Sequence, residues 1–373
     1  MPVSVTEHAL PVLGELPDDL SGCFLQAFPH PARTPSAAIP DPDRLRAALA
    51  PPILAGVRVA DGRAYKMSAH APHPAPHPAL LGSTVAGHAS VARPMGEPGG
   101  ARWHTVASYP GLGRADHLVI DDGDVVRARS FPLPGEPLLT AVAVTERFVV
   151  VFDQPMRHSR AAALVGLGFP YAWRPDRPAR VGLLPLDPER PARWFEVSPA
   201  YVTEAVNAYD AGTRVIVDAI CHRHPADGDT ARLRRIALCL ASGGVLEREL
   251  APARHAVVDS RVTGTAHRFV VSVSGGASGG ALTVHDLATG GQRRRAFGPE
   301  WRLGEPVFAP RPGGGEGAGW IAVLAQDPVR RRARLVILDA MDVAAPGAEV
   351  ELPDLLPDAV RVTWAPARPA RAR

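Results

Sequence analysis

Trp320-Ile321-Ala322-Val323-Leu324-Ala325 and, after residues 326–332, Ala333-Arg334-Leu335-Val336-Ile337-Leu338 are two short apolar runs. Both are too short for an ordinary helix, and both carry β-branched residues, so they read as strands. Runs of the same kind recur at Leu118–Ile120, Val142–Val151, Val181–Pro185, Thr213–Ile220, Ile236–Leu240, His267–Val273 and Ala281–His285. Turn residues bound many of them: Asp121-Asp122-Gly123-Asp124, Ala241-Ser242-Gly243-Gly244, Gly275-Gly276 and Gly313-Gly314-Gly315. Helical periodicity is scarce, the best stretch being the short Asp41–Leu49. Many short strands with recurrent turns predict an all-β sandwich, barrel or propeller. A length of 373 residues favours a propeller, whose blades add roughly 40 to 50 residues each. No Trp-Asp signature marks a repeat.

Composition narrows the function. The chain is 46% hydrophobic and 21% charged, enough to bury a sizeable core. The 40 Pro and 35 Gly exceed the usual share but fall short of a low-complexity chain. Acidic and basic residues nearly balance, for a formal charge of +3, which argues against a nucleic-acid partner. Arginine supplies nearly all the positive charge. Lys66 is the only lysine, so Schiff-base chemistry would have to use that residue. Cys23, Cys221 and Cys239 lack disulfide-scaffold or zinc spacing. No apolar run spans a bilayer, and Met1–Leu20 lacks the basic start of a secretory signal. The expectation is a soluble, cytoplasmic single domain over 1–373. Within it, 66–82 reads as a Pro/His-rich flexible loop and 366–373 as a disordered Pro/Arg-rich tail.

Several polar clusters invite a metal reading. His70, His73 and His77 would align on a helix, but the intervening prolines forbid one, and a solvated loop is the plainer reading. His222 and His224 lie two apart at a strand end, a spacing that puts both on one face. The turn residues that follow place them in solvent instead. Asp227 and Asp229 open like a calcium loop that is never completed. No P-loop, dinucleotide fingerprint or serine elbow is present.

A series of stretches, in order along residues 10–365, resembles the carotenoid cleavage oxygenases. Glu15-Leu16-Pro17-Asp18-Asp19-Leu20-Ser21-Gly22 with Phe28-Pro29-His30-Pro31 resembles the family opening. Ala143-Val144-Thr145-Glu146-Arg147-Phe148, Ala172-Trp173-Arg174-Pro175 and Asn207-Ala208-Tyr209-Asp210 are similar to internal segments. Gly304-Glu305-Pro306-Val307-Phe308-Ala309-Pro310-Arg311 is the most specific match, and Leu338-Asp339-Ala340, Leu352-Pro353 and Trp364 resemble the close. The resemblance implies a seven-bladed β-propeller with a short loop and helix cap over its axis. It also implies one Fe(II) on that axis, held by four histidines from four blades.

That ligand set does not carry over. His88, in Ala86-Gly87-His88-Ala89-Ser90-Val91, matches the first ligand position. The second falls on Thr140, the third on Glu204 and the fourth on Arg361. Glu305 matches a glutamate that supports a ligand histidine in the family, and another such position falls near Arg254. One imidazole, one carboxylate and one hydroxyl make a poor ferrous site, and a guanidinium repels a cation. The expectation is therefore a protein without the family's iron. Glu204 and Arg361 would form a buried ion pair, or would line a metal-free pocket with His88 and Thr140. Glu305 would orient His88 or pair with Arg361. Three functions follow. One is a metal-independent cyclase, isomerase or lyase acting on an apolar, polyene-like substrate in bacterial secondary metabolism. The others are a non-catalytic binder of such a molecule and an oxygenase with an altered metal site. Ala161–Phe169 is the one exposed-looking apolar stretch, a tunnel mouth, weak membrane contact, dimer surface or buried loop.

Overall fold

The structure, a computed structural model, describes residues 8–28, 53–70, 84–86, 89–122, 124–166, 169–226, 230–275, 279–356 and 361–367. Strand accounts for 58% of the described residues and helix for 3%, so the all-β reading holds. Every strand predicted from the sequence overlaps an observed one and overruns its ends by at most two residues, as for His267–Val273 against Phe269–Ser274. Val142–Val151 divides in two, because Thr145 Oγ1 accepts the backbone N–H groups of Arg147 and Phe148 and turns the chain.

Six antiparallel sheets of four to six strands stand side by side, with a two-stranded ribbon, Met156–His158 with Tyr171–Trp173, outside them. Seven blades are therefore not counted among the described residues. The first sheet joins both ends of the described chain: Gly22–Phe28 pairs with Arg361–Pro366, in register from Gly22 with Pro366 to Ala27 with Arg361. The sixth is closed likewise, since Val12–Leu13 pairs with Ala348–Leu352. Both pairings tie the start of the chain to its end, which closes a ring that would otherwise expose sheet edges.

Separate apolar cores lie between neighbouring sheets. Val106, Ala115 and Leu133 of the second sheet pack on Val149, Val151 and Leu184 of the third. Val150, Val181 and Leu183 of the third pack on Val215, Val217 and Leu238 of the fourth. Val271 and Val284 of the fifth meet Ile321, Val323 and Val336 of the sixth. Sheets buried on both faces explain why the strands read as nearly continuous apolar runs rather than as alternations. Close approach decides one glycine: a Cβ at Gly56 would fall 2.2 Å from the Phe24 carbonyl oxygen on the paired strand.

A buried polar chain sits in the layer between the second and third sheets. Glu97 Oε1 lies 2.8 Å from His104 Nε2, and His104 Nδ1 lies 2.8 Å from His117 Nε2, with the two rings stacked. Burial pushes His104 down, and it pushes His117 down to about 3, helped by His104, Arg127 and Arg129. Both imidazoles are neutral near pH 7.

Lys66–His70 belong to the strand Arg63–His70, so the Pro/His-rich segment does not begin as a loop at 66. Its remainder with His73 and His77, the helix expected over Asp41–Leu49, Asp227, Asp229 and the tail past 367 lie outside the described residues. Apart from a single 3-10 turn at Ser260–Val262, one α-helix is described, Arg160–Leu164, capped by Ser159 Oγ accepting the Ala162 N–H. Leu164, Val165 and Phe169 around it are exposed, so this stretch is not a buried loop. No described helix is long and apolar enough to cross a membrane.

Candidate functional site

Each of the six sheets sends one polar residue from its innermost strand, or from the chain beside it, to a common cluster. Arg361 opens the innermost strand of the first sheet. Arg93 lies between Ala89–Val91 and Met95–Gly96 of the second, and its N–H bonds to the Thr140 carbonyl. Thr140 leads into Val142–Val144 of the third. Glu204 lies in Tyr201–Ala211 of the fourth, His255 opens His255–Val257 of the fifth, and Glu305 precedes Val307–Pro310 of the sixth. Local irregularity helps to aim them. The register slips between Val202 and Glu204, so Thr203 is an extra residue that re-aims the following side chain.

Two ion pairs organise the cluster. His255 Nδ1 lies 2.5 Å from Glu204 Oε1, and the Ala256 N–H donates to Glu204 Oε2 over 3.3 Å. Arg93 Nη2 donates to Glu305 Oε1, and Arg361 Nη1 donates to the same oxygen over 3.3 Å. Glu204 and Arg361, expected to pair with each other, instead take separate partners. The expected contact between Glu305 and Arg361 is present, with Arg93 added to it. Thr140 has little left to offer a ligand: its hydroxyl donates to the Val202 carbonyl at 2.5 Å and lies 3.4 Å from the Gln154 amide nitrogen. His88 lies outside the described residues.

Burial works to raise the Glu204 carboxyl, but the charge and hydrogen bond of His255, with Arg93 and the Ala256 N–H, outweigh it and hold the group low. Burial likewise works to lower His255, and Glu204 outweighs it, so His255 is raised above the ordinary imidazole value. Each group of the pair thus favours the charged form of the other. Burial, with the nearby Glu204 charge, raises Glu305 despite Arg93.

Arg93 and His255 were missed in the sequence. Arginine is too abundant in this chain for one residue to stand out. His255 adjoins Arg254, where a glutamate position of the family was expected, so its only signal was a neighbouring misalignment. His222 and His224 do not join the cluster. His222 lies against Thr203 and Tyr201, and His224 sits edge-on to Trp173. Asn207, from the Asn-Ala-Tyr-Asp stretch, is a brace: its amide donates to Val262 and Thr265 carbonyls and accepts from the Gly264 N–H.

The family profile described as retinal pigment epithelial membrane protein matches residues 83–366. The chain belongs to that family, the carotenoid cleavage oxygenases. Apocarotenoid-15,15'-oxygenase of Synechocystis is 29% identical over 270 residues, covering 65% of this chain and 55% of that protein. The chain thus spans about half the length of this relative. A carotenoid cleavage oxygenase of Mycobacterium tuberculosis is 27% identical over 341 residues, covering 74% and 68% respectively. Cobalt-substituted Synechocystis apocarotenoid oxygenase superposes with a TM-score of 0.79 at 20% identity, covering 98% of this chain and 96% of that one. Lignostilbene dioxygenase of Pseudomonas brassicacearum gives 0.79 at 18%, covering 97% and 95%. These likenesses show the fold.

The iron that the carotenoid cleavage oxygenases imply does not fit the described residues. A ferrous ion needs several free neutral or anionic donors. At the matched positions the Thr140 hydroxyl is spent on a carbonyl, the Glu204 oxygens on His255 and Ala256, and Arg361 is a fixed cation. Arg93 adds a second fixed cation. Among the described residues no three His, Cys, Asp or Glu side chains are grouped to hold a metal.

Proposed function

We propose that this chain is a carotenoid-oxygenase-like enzyme that works without iron. It relocates a proton in an apolar polyketide- or isoprenoid-like molecule, and so isomerises or cyclises it. The observation that carries this reading is the Glu204–His255 pair at 2.5 Å, inside the polar cluster that the sheets share. The names of the curated relatives support an apolar, carotenoid-like substrate.

The roles follow from the pair. With Nδ1 held by Glu204, His255 exchanges a proton through Nε2, and the carboxylate fixes the ring and stabilises the imidazolium. In its neutral form, with the ring proton on Nδ1 toward Glu204, His255 takes a proton from one substrate carbon at Nε2 and returns it to another carbon, so the reaction needs no oxidant and leaves the residues as they began. Arg361 faces the negative charge that develops on a substrate oxygen. The six-sheet ring holds the chain in one conformation, which favours a single outcome.

Turnover of a polyene substrate should persist undiminished in excess chelator and under argon, while Glu204→Gln should abolish it and leave the fold intact. Turnover that depends on oxygen and stops with chelator would show an oxygenase with an altered metal site. Binding without turnover in the parent protein would show a ligand carrier.

A further inference from the structure

We infer that Gln154 is a positioning residue for the Glu204–His255 pair: it holds the bulged backbone that turns Glu204 toward the imidazole. This deepens the proton-transfer reading above and rests on it.

The innermost strand of a sheet has no neighbouring strand on its axial side, so backbone groups there need other partners. At Val202, two residues before Glu204, side chains carried by the third sheet supply both. Gln154 Oε1 accepts the Val202 N–H over 2.7 Å, and Thr140 Oγ1 donates to the Val202 carbonyl at 2.5 Å. The Gln154 amide nitrogen donates in turn to the Leu138 carbonyl over 2.7 Å and lies 3.4 Å from Thr140 Oγ1. One of its backbone partners is a donor and the other an acceptor, which fixes the way the amide points. Gln154 follows the strand Phe148–Asp153 and is buried. A single side chain thus ties the segment leading to Thr140 to the segment leading to Glu204.

The tie sits at the register slip between Val202 and Glu204. Successive side chains on a strand point to opposite faces, so a bulge displaced by one residue would turn Glu204 away from His255. Packing does not prevent that displacement. A cavity of about 20 Å³ borders Gln154, Val202 and Cys221, so side-chain contact on that flank leaves slack. The hydrogen bonds from Gln154 and Thr140 therefore fix where Val202 sits. With it they fix the 2.5 Å approach of Glu204 Oε1 to His255 Nδ1.

Proton NMR of the full-length chain tests this directly. The Nδ1 proton of His255, held in a charge-assisted bond to Glu204, should resonate far downfield of the backbone amides, and its loss in His255→Gln identifies it. Gln154→Met keeps the length of the side chain and removes its hydrogen bonds. It should abolish that signal or move it upfield at a temperature where circular dichroism shows the variant folded. Thr140→Val removes the other hold on Val202 and should act in the same direction, so either variant suffices if the other fails to fold. Gln154→Glu should keep the signal at about pH 5, where a buried carboxyl stays protonated and offers the same acceptor and a donor. A brace that only stabilised the fold would lower the unfolding temperature without moving the signal. An unchanged signal in folded Gln154→Met or Thr140→Val protein would overturn the inference, and so would its absence from the parent. Iron assayed in the same samples keeps the two readings apart. A signal lost with Gln154 in iron-loaded protein would sink the metal-free reading alone, whereas iron-free protein whose signal ignores Gln154 would sink the positioning role alone.

Discussion

His255→Leu should destabilise the fold by about 3 to 5 kcal/mol, since it leaves the Glu204 carboxylate buried without its partner. Glu204→Leu should cost less, because an imidazole that has lost its counter-charge can give up its proton and stay neutral, whereas the abandoned carboxylate stays neutral only by taking one up. The double Leu variant should recover much of the loss, since it removes both charges and fills the space with apolar groups. Urea titrations of the four proteins at pH 7 measure these differences. The pH dependence carries the same signature. Glu204 is held below its ordinary 4.5, so its contribution is present above that value and fades as pH falls toward its lowered folded value. His255 is held above 6.5, so its contribution is present below 6.5 and is lost as pH rises through the folded value. Additive single and double effects, with no coupling, would mean that the two side chains do not touch.

Acid should weaken the protein well before its carboxylates titrate. His117 is neutral in the fold down to about pH 3 but takes up a proton in the unfolded chain near 6.5. Between those values the unfolded state binds the extra proton, so stability falls as pH falls. The loss should reach about 2 kcal/mol at pH 5 and roughly twice that near pH 3. His104 shifts in the same direction and adds to the effect. His117→Gln keeps a polar group beside His104 without the basic nitrogen, and its stability should vary less between pH 7 and 5. Parallel pH profiles for parent and variant would place the acid sensitivity elsewhere.

The strands were legible because sheets buried on both faces leave continuous β-branched runs. Val142–Val151 and Trp320–Ala325 announced themselves in this way. The blade count was not legible, because it depends on how strands are shared among sheets. The N-terminal segment, for instance, pairs once into the first sheet and once into the sixth. Of the site, Glu204, Arg361, Thr140 and Glu305 were found through ordered motifs, and the structure brings Glu204, Arg361 and Glu305 into the cluster with Thr140 on its wall. Their partners were not found. The side chains that neutralise Glu204 and Glu305 come from other sheets, His255 from the fifth and Arg93 from the second, and no sequence spacing links them. Charge at a closed axis is balanced in three dimensions, so a pair guessed from two conspicuous charges gave the wrong partner for Glu204.

Iron content of protein produced and purified anaerobically with excess ferrous salt tests the central claim most directly. After gel filtration, elemental analysis should find far less than one iron per chain, and diffraction at the iron absorption edge should show no anomalous peak among Arg93, Glu204, His255, Glu305 and Arg361. One tightly held iron per chain, with His88 or His255 among its ligands, would contradict the account.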